Sequence, residues 1–537
     1  MTREITIQWS SQLLCPVPTG PTRAIFSYCV KVIMELCTFL LTTVIVYLLY
    51  HFFLKKENFF EKNGIPHVKP LTAVAGSVCN LVRGVSLAES VSEFYNANSK
   101  VKYAGTSFLM TSALMICDLE LTKQITVKYF DHFVNHDGFV DPTDEPIFGN
   151  NLFFLHDNKW REVRNLLTPA FTSSKLKGMF KLMSECAAAF ADYLAERSHQ
   201  KPLEIDSKDV FTRYANDLIG TCAFGVKVDS MRNPNNEFYI LGRKATNFGG
   251  LNVLKLIFVQ KVPRLAKLLG IRIVSDDVEK FFIQLVRDTI AMRDEKGITR
   301  PDVIQLMMET RNNEGHGRVL TIPEMTAQAF VFFFGGFEST STFMCFAMQM
   351  MAENPEIQVR LQSEVDEVFD EEGDNPPYEA VNNMVYLDAV VNETLRMYPV
   401  NAVMDRVCTK EFELPPPLSG KKPVLLKPGF VVWIPYYALL RDPSQYPDPD
   451  VFNPERFISD GKTSAHAAAS LAFGLGPRMC IGNRFAILET KVLLVHILRK
   501  CSVKPADRMI TPVKLDPYTF AMKAKGGFWL EVQPRQK

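Results

Sequence analysis

One short segment near the C-terminal end constrains this chain more than any other. Residues 473–482 read FGLGPRMCIG, with three glycines and one proline in ten positions. That composition predicts a tight, irregular loop in which the backbone can approach a flat ligand closely. Cys480 stands near the end of the loop, and the apolar sequence after it predicts a helix. The fold must therefore present one cysteine at the N-terminus of a helix.

A cysteine in that position is suited to bind a metal ion. The unpaired N–H groups of the first helical turn and the positive end of the helix dipole favour a thiolate. We therefore expect the sulfur of Cys480 to be held deprotonated. Arg478, two residues earlier, can clamp a carboxylate with its planar guanidinium. The alternative interpretation is a free cysteine in a glycine-rich loop.

The spacing Phe-x-x-Gly-x-Arg-x-Cys-x-Gly resembles the haem-binding signature of the cytochromes P450 at every defining position. The resemblance implies that haem b is the cofactor and that Cys480 is its axial thiolate and only metal ligand from the protein. It also implies that Arg478 and Phe473 contact the haem.

The length allows one large domain or several small ones. The chain has 537 residues, 47% of them hydrophobic, and a formal net charge of +1. That balance does not indicate a nucleic acid or an acidic substrate. The eleven cysteines include no C-x-x-C pair, which is not a disulfide framework and fits reduced thiols in a cytosol-facing domain. We find no linker after residue 71 and interpret residues 71–537 as one domain.

The N-terminal region predicts a membrane anchor. Residues 36–54 are a run of 19 residues without a charge, close to the roughly 20 needed to cross a bilayer. Lys55 and Lys56 follow, and positive charge marks the cytoplasmic end. The alternatives are a buried core helix and a cleaved signal peptide. No small-residue cleavage site follows the run, which argues against the signal peptide.

These features divide the N-terminal part into three segments. We predict a transmembrane anchor at residues 34–56 and a proline-containing hinge at residues 57–70. Residues 1–33 are a proline-containing extension, and our hypothesis is that Met34 is the native start. The P450 resemblance implies the endoplasmic reticulum membrane, with the catalytic domain facing the cytosol.

A second constraint is a long helix that begins after Thr321. Thr321 and Glu324 form a capping box with proline in the first turn, and no further proline occurs until Pro355. The pattern allows about 32 residues, or about 48 Å at 1.5 Å per residue. Midway, residues 335–340 read GGFEST. The glycines weaken the helix, and the Ser339 hydroxyl can donate to the carbonyl four residues earlier and bend the turn.

The GGFEST segment resembles the acid–alcohol segment that P450s place beside the oxygen site. The resemblance implies that Glu338 and Ser339 support proton delivery through water. Serine stands where the family usually has threonine, so its hydroxyl has a freer rotamer, and Thr340 is a substitute hydroxyl. The alternative is a kinked core helix with a capped polar pair.

Further matches concern the haem propionates. Trp160 and Arg164 are four residues apart and share a helix face, and in the family such a pair contacts a propionate. Arg406 lies where related enzymes bind a second propionate. His136 stands where they often carry a further propionate-binding arginine, which is a departure from the family pattern.

Other matches are structural. Glu393 and Arg396 lie at i and i+3 of a predicted helix, and with Arg456 they resemble the buried P450 triad, which we assign to haem retention and structure. Residues 424–426 and 430–434 predict strands around a turn. The expected fold is therefore mainly α with a small β region, preceded by one transmembrane helix.

The sequence also predicts, in less detail, a region that covers the substrate pocket and the residues that line the pocket. Apolar residues with spaced lysines within residues 241–270 predict a membrane-surface lid, with a buried helix as the alternative. By resemblance, the pocket for an apolar substrate is lined by Phe334, Phe337, Val400, Met404 and Phe520, for which core packing is the alternative.

The combined matches resemble insect microsomal P450s of clan three, near insect family nine, and the vertebrate family-three drug oxidisers. They imply a monooxygenase acting on apolar xenobiotics such as insecticides and plant toxins. NADPH–cytochrome P450 reductase would supply electrons, with cytochrome b5 as a second partner. The docking face would include Lys159, Lys175 and Lys177. The alternatives are a haem-thiolate isomerase or dehydratase, a hydroxylase of endogenous lipids or hormones, and a non-catalytic haem carrier.

Overall fold

The computed structural model describes residues 57–535, except 70–75, 77–78, 81, 109–110, 139, 247–250, 301, 310–319, 460–461, 464–470 and 520, together with scattered positions between 32 and 47. In these ranges the chain is mostly helical, with short strands gathered into small sheets. The predicted mainly α fold with a small β region is confirmed.

The α-helices whose bounds are defined are, in chain order, α1 Glu57–Lys62, α2 Leu87–Ala97, α3 Leu119–Lys123, α4 Pro146–Gly149, α5 Asp157–Leu167, α6 Ser173–Ser198, α7 Ser207–Ile219, α8 Glu237–Ala245, α9 Leu251–Lys261, α10 Pro263–Leu268, α11 Asp276–Lys296, α12 Val303–Glu309, α13 Ile322–Phe334, α14 Ser341–Glu353, α15 Pro355–Glu372, α16 Tyr378–Asn382, α17 Val385–Met397, α18 Tyr436–Leu439 and α19 Asn483–Lys500. Short π-helical segments are Gln124–Lys128, Gly220–Phe224 and Gly335–Thr340, and short 3₁₀ segments are Phe130–His132, Thr168–Phe171 and Pro454–Phe457.

The strands are β1 Tyr103–Phe108, β2 Thr111–Ile116, β3 Leu203–Asp206, β4 Met404–Val407, β5 Phe412–Leu414, β6 Val424–Leu426, β7 Val431–Ile434, β8 Ile458–Ser459, β9 Lys462–Thr463, β10 Cys501–Pro505 and β11 Trp529–Pro534. The largest sheet has the order β1-β2-β7-β4, in which β2 and β7 are parallel. A second sheet has the order β10-β11-β3, and β5 with β6 and β8 with β9 form two-stranded pairs.

The two strands predicted around residues 427–429 are both present, as β6 and β7, but they belong to different sheets. β6 pairs with β5, whereas β7 lies between β2 and β4. A turn pattern in the sequence identifies strands but does not decide their partners, because those partners are distant in the chain.

The long helix forms as predicted. The segments α13, Gly335–Thr340 and α14 make one continuous helix of 32 residues, Ile322–Glu353. Thr321 caps it, and the capping box with Glu324 is present. Within the described ranges it is the one helix long and apolar enough to span a membrane, yet 61% of its most apolar window is buried in the protein. It is therefore the central core helix.

Two buried helices position the segments predicted to carry chemistry. Helix α19 begins three residues after Cys480, is buried along most of its length and packs along α6. The π segment Gly335–Thr340 packs on α7 and also contacts α19. The cysteine loop and the glycine-containing turn of the long helix are thus held by neighbouring core elements.

The predicted anchor at residues 34–56 lies mostly outside the described residues. The positions described between 35 and 47 are helical, and Leu36, Phe39 and Leu40 are exposed. An exposed apolar helix fits contact with lipid, and the anchor stays a prediction.

The predicted lid region, within residues 241–270, has one buried part, as in a core helix, and one exposed apolar part, as at a membrane surface. Within α9, Val259 is buried, as in a core helix. Leu265 and Leu268 of α10, with Leu269 just after it, are exposed. An exposed apolar face suits a membrane surface, and lid function stays a prediction.

Candidate active site

The loop before α19 depends on glycines with left-handed backbone conformations. Gly474 has φ of 89° and Gly476 has φ of 74°, values that glycine adopts without steric cost. A Cβ on Gly476 would lie 1.8 Å from the carbonyl oxygen of Thr126, so no side chain fits there. The amide of Cys480 donates to the carbonyl of Phe473 at 2.9 Å. The loop therefore fixes the position of the sulfur.

Cys480 lies deep in the protein, yet its side chain is exposed. A side chain that is enclosed and still accessible lines an internal cavity. Burial raises the pKa of the Cys480 thiol, while a hydrogen bond from Gly482 and the charge of Arg164 act in the opposite direction. Desolvation thus opposes the helix terminus and Arg164, which favour the thiolate, and the deprotonated sulfur stays a prediction. A metal ion would deprotonate a coordinating thiol directly.

Arg478 donates its shortest hydrogen bonds to backbone carbonyl groups. Its Nε donates to the carbonyl of Val134 at 2.8 Å and its Nη2 to that of Leu155 at 2.7 Å. The guanidinium stacks 4.1 Å from the ring centre of Trp160. Burial lowers the pKa of Arg478 to about 8, and the guanidinium of Arg406 acts in the same direction. A nearby anion would therefore be favourable.

Arg406, on β4, is 1% exposed. Its Nη1 donates to the carbonyl of Asp405 at 2.7 Å, whereas its Nε has no hydrogen-bond partner in the described part of the chain. A buried N–H without an acceptor costs free energy. This position is suited to an anionic acceptor.

His136 does not supply the charge of the arginine that related enzymes carry. Its Nδ1 lies 3.2 Å from Oδ1 of Asp405, and its ring stacks on Phe153 at 4.6 Å between ring centres. Burial lowers the pKa of His136 to about 4, so the imidazole is neutral at pH 7.

Trp160 and Arg164 lie one turn apart on α5. Trp160 is buried and Arg164 is partly exposed. Both line a cleft of about 270 Å³ that also includes Pro477 of the cysteine loop. Burial lowers the pKa of Arg164, and Cys480 is close enough to oppose that shift. The two predicted partners therefore face the cysteine loop.

The guanidiniums of Arg164 and Arg406 are both close enough to that of Arg478 to influence it. Both Arg164 and Arg406 lower the pKa of Arg478, and Asp405 opposes them. Guanidiniums recognise carboxylates through paired N–H donors. The region beside Cys480 is therefore matched to a flat ligand that carries carboxylates.

The π segment of the long helix has the expected bend. Ser339 Oγ donates to the carbonyl of Gly335, four residues earlier. Phe334, Gly335 and Ser339 are partly accessible on a helix that is otherwise mostly buried. Thr340 is only 4% exposed, so Ser339 is the more accessible hydroxyl.

Glu338 has partners that the sequence did not indicate. Its Oε1 lies 2.8 Å from Nζ of Lys523, and its Oε2 lies 3.3 Å from Nζ of Lys208. Neither lysine belongs to a recognisable motif, and both come from distant parts of the chain. No local sequence signal could have found them.

The predicted pocket residues do not all have the same surroundings. Phe334, Val400 and Met404 are half-buried, as side chains beside a cavity would be. Phe337 is 1% exposed and packs against Phe333 and Tyr239. Phe520 lies outside the described residues.

The predicted triad forms a closed, buried network. Glu393 and Arg396 are 0% exposed, with Glu393 Oε2 2.7 Å from Nε of Arg396. Nε of Arg456 lies 3.0 Å from Oε1 of Glu393, which also accepts the amide N–H of Asn453 at 2.8 Å. The network ties α17 to the 3₁₀ segment Pro454–Phe457.

Comparisons with known proteins identify the family. The sequence model of the family described as Cytochrome P450 matches residues 74–530. The chain belongs to the cytochrome P450 family. It is similar to cytochrome P450 9e2 of Blattella germanica, with 40% identity over 89% of this chain and 94% of that protein. Cytochrome P450 9b2 of Drosophila melanogaster is 34% identical over 94% of this chain and 100% of its own length.

Cytochrome P450 6A1 of Musca domestica is also similar, with 34% identity over 89% of this chain and 94% of that protein. These relatives fit the predicted place among insect P450s of clan three. The chain is a P450 monooxygenase, and its family uses haem with a cysteine thiolate and takes electrons from a redox partner. The donor set described above, one cysteine beside three guanidiniums, fits that cofactor.

The lysines predicted for partner docking are only partly available. Lys159 donates to Oδ1 of Asn150 at 2.9 Å, and Lys177 pairs with Glu379. Lys175 is half-buried. Their role in binding a redox partner stays a prediction.

Proposed function

We propose that Cys480 is the thiolate ligand of the haem iron and that this P450 inserts one oxygen atom from O₂ into apolar molecules. The observation that carries the assignment is an accessible sulfur deep in the protein beside three guanidiniums. An iron ligand must be reachable from a cavity, and the two haem carboxylates need cationic donors. Both conditions meet at this loop.

The haem, when bound, supplies the oxygen-activating chemistry, which a thiolate ligand promotes. The chain's own residues bind and orient it. Arg406 offers its unpartnered Nε to one carboxylate, and Arg164 reaches from α5 towards the same region. Trp160 supports the guanidinium of Arg478, while Phe473 packs at the start of the loop.

Ser339 and Glu338 would handle the protons that the oxygen chemistry needs. The Ser339 hydroxyl donates to the Gly335 carbonyl and can rotate to another donor direction, since a serine hydroxyl has several rotamers. Glu338, one residue away, can return a proton to this relay through water. Thr340 is buried, so its role is to stabilise the turn and not to transfer protons.

The substrates we propose are apolar xenobiotics such as insecticides and plant toxins. Half-buried Phe334, Val400 and Met404 support an apolar pocket. The uncharged run at residues 36–54 and the exposed leucines of α10 support attachment to the endoplasmic reticulum membrane. Electrons would come from NADPH through cytochrome P450 reductase, with cytochrome b5 as a second donor.

The test of the iron ligand is spectroscopic. The full-length protein is reduced, carbon monoxide is added, and the red-shifted absorption band of thiolate-bound haem is measured. We expect the band in the wild type and in Cys79→Ser, which changes an exposed cysteine. Its loss in Cys480→Ser is expected, and an unchanged band in that variant would reject the assignment.

A second measurement tests the reaction and its substrate class. The protein is incubated with reductase, NADPH and ¹⁸O₂ in the presence of insecticides, plant alkaloids and fatty acids. One labelled oxygen atom in a xenobiotic product is expected. Labelled fatty acid alone would favour a hydroxylase of endogenous lipids, and conversion without NADPH would favour an isomerase or dehydratase.

A further inference from the structure

The carboxylate of Glu338 is held from two sides by lysines that belong to different parts of the fold. Lys523 Nζ lies 2.8 Å from Oε1, and Lys208 Nζ lies 3.3 Å from Oε2. The exposed fractions are 20% for Glu338, 19% for Lys208 and 34% for Lys523. Each carboxylate oxygen therefore has its own cation, in surroundings that are mostly screened from water.

Lys208 also holds the backbone of the π segment. It is the second residue of α7, and its Nζ donates to the carbonyl of Glu338 at 3.1 Å. The same ammonium donates to Ser341 Oγ at 2.7 Å and to Thr342 Oγ1 at 2.9 Å. Burial lowers the pKa of Lys208, and the charge of Glu338 opposes that shift. One side chain thus fixes the main chain and the carboxylate of the same residue.

Lys523 comes from the C-terminal part of the chain, where its own backbone is anchored. Its carbonyl accepts the amide N–H of Asp516 at 2.9 Å, and the amide of Met522 donates to the carbonyl of Val400 at 3.2 Å. These bonds fix the base of the Lys523 side chain independently of the long helix. Its ammonium reaches Glu338 from a second rigid support.

We propose that Lys208 and Lys523 are positioning residues for Glu338, which fix the direction of its carboxylate on the turn that carries Ser339. The inference rests on the proposed role of Glu338 in proton delivery. A glutamate side chain has several rotamers and loses that freedom only when both oxygens are held. A carboxylate held in one direction delivers protons along one path. A mobile carboxylate delivers them less efficiently, so more of the electrons from NADPH end in hydrogen peroxide or water and fewer in oxygenated product.

The experiment measures coupling, the amount of product formed per NADPH consumed, with 7-ethoxycoumarin as the probe substrate and reductase present. Lys523→Met is the main variant, because Lys523 is the more exposed of the two lysines. Lys525→Met is the matched control: that lysine lies on the same segment, is exposed, and has no ion pair within the described ranges. Glu338→Gln and the double variant Lys523→Met/Glu338→Gln complete a cycle.

We expect Lys523→Met to lower coupling about threefold, the size of effect that a partly exposed ion pair gives, and Lys525→Met to leave it unchanged. Lys523→Arg should restore most of the loss. In the Glu338→Gln background the Lys523→Met change should have no further effect. A loss of the same size in both backgrounds would overturn the inference, because Lys523 would then act by another route.

A second readout is independent of turnover. Acylation of lysine amines by a water-soluble succinimidyl ester is followed by mass spectrometry in folded protein that shows the carbon monoxide band. Lys523 should react more slowly than Lys525 in the wild type and become faster in Glu338→Gln. Equal rates for Lys523 in both proteins would overturn the pairing. If Glu338→Gln itself keeps full coupling, the proposed role of Glu338 fails, and that outcome is distinct from a failure of Lys523 alone.

Lys208→Met tests the second lysine. It should lower coupling more than Lys523→Met, because Lys208 also binds the carbonyl of Glu338. Lys208→Arg should recover part of it. If Lys208→Met folds, shows the carbon monoxide band and keeps wild-type coupling, its positioning role is rejected.

Discussion

Replacing Glu393 by glutamine tests the buried triad most directly. Glutamine has nearly the same shape, so the change removes charge without creating a cavity. Both Glu393 and Arg396 are 0% exposed, and Oε1 of Glu393 accepts from Arg396, Arg456 and Asn453. After the change, Arg396 keeps its charge in the core with only carbonyl oxygens as acceptors, such as that of Leu440 at 3.1 Å.

The magnitude follows from the burial of that charge. Removing one partner of a buried ion pair destabilises a protein by about 3–5 kcal/mol. Total stabilities are about 5–15 kcal/mol, so Glu393→Gln should lose a large fraction of its stability. The triad connects α17 to the segment Pro454–Phe457, and Phe457 shares a hydrophobic cluster with Leu475 of the cysteine loop. We therefore expect haem retention to fall as well.

The assay is unfolding in urea, followed by circular dichroism and by haem absorption. The matched control is Glu185→Gln, which removes the i,i+4 pair of Glu185 with Lys181, whose side chains are 59% and 83% exposed and 3.9 Å apart. That exposed pair should contribute less than about 1 kcal/mol. If Glu393→Gln and Glu185→Gln change the free energy of unfolding equally, the argument from burial is wrong.

Three further predictions use the same protein. Gly476→Ala should abolish the carbon monoxide band, because its Cβ would lie 1.8 Å from a carbonyl oxygen; a normal band would contradict the loop geometry. Arg406→Met should increase the rate of haem loss to apomyoglobin, whereas Arg508→Met, at an exposed arginine, should not. Burial lowers the pKa of His496 to about 4 from 6.5, so the unfolded state binds more protons below pH 6.5. The contribution of His496 to stability should therefore fall by about 2 kcal/mol between pH 7.5 and pH 5, and His496→Gln, measured by urea unfolding at both pH values, should reduce the total loss by about that amount.

The features that the sequence predicted well are local. The bounds of the long helix follow from a capping box at Thr321 and from the next proline at Pro355. The hydrogen bond from Ser339 to Gly335 follows from their spacing of four residues. In each case the partners lie within one or two helical turns, so secondary structure alone brings them together.

Features that depend on burial were predicted less well. The helix terminus after Cys480 suggested a thiolate, yet desolvation raises the pKa of that thiol. Arg478 was expected to clamp a carboxylate, yet its shortest bonds go to backbone carbonyls of Val134 and Leu155. How much water a group loses depends on the whole fold, and composition does not report it.

The sequence identifies Glu338 as an acid, but only the structure determines the direction of its carboxylate. The acid itself can be identified, because it stands beside a hydroxyl in a glycine-containing turn. Its direction cannot, because that is decided by Lys208, which is 130 residues away, and by Lys523 near the C-terminus. Judged by sequence, Lys523 and Lys525 are equivalent lysines two positions apart. The structure makes them different: one holds an oxygen of Glu338 at 2.8 Å, and the other is exposed. The chemistry of the acid is thus encoded locally, whereas the control of its direction is encoded by the tertiary fold.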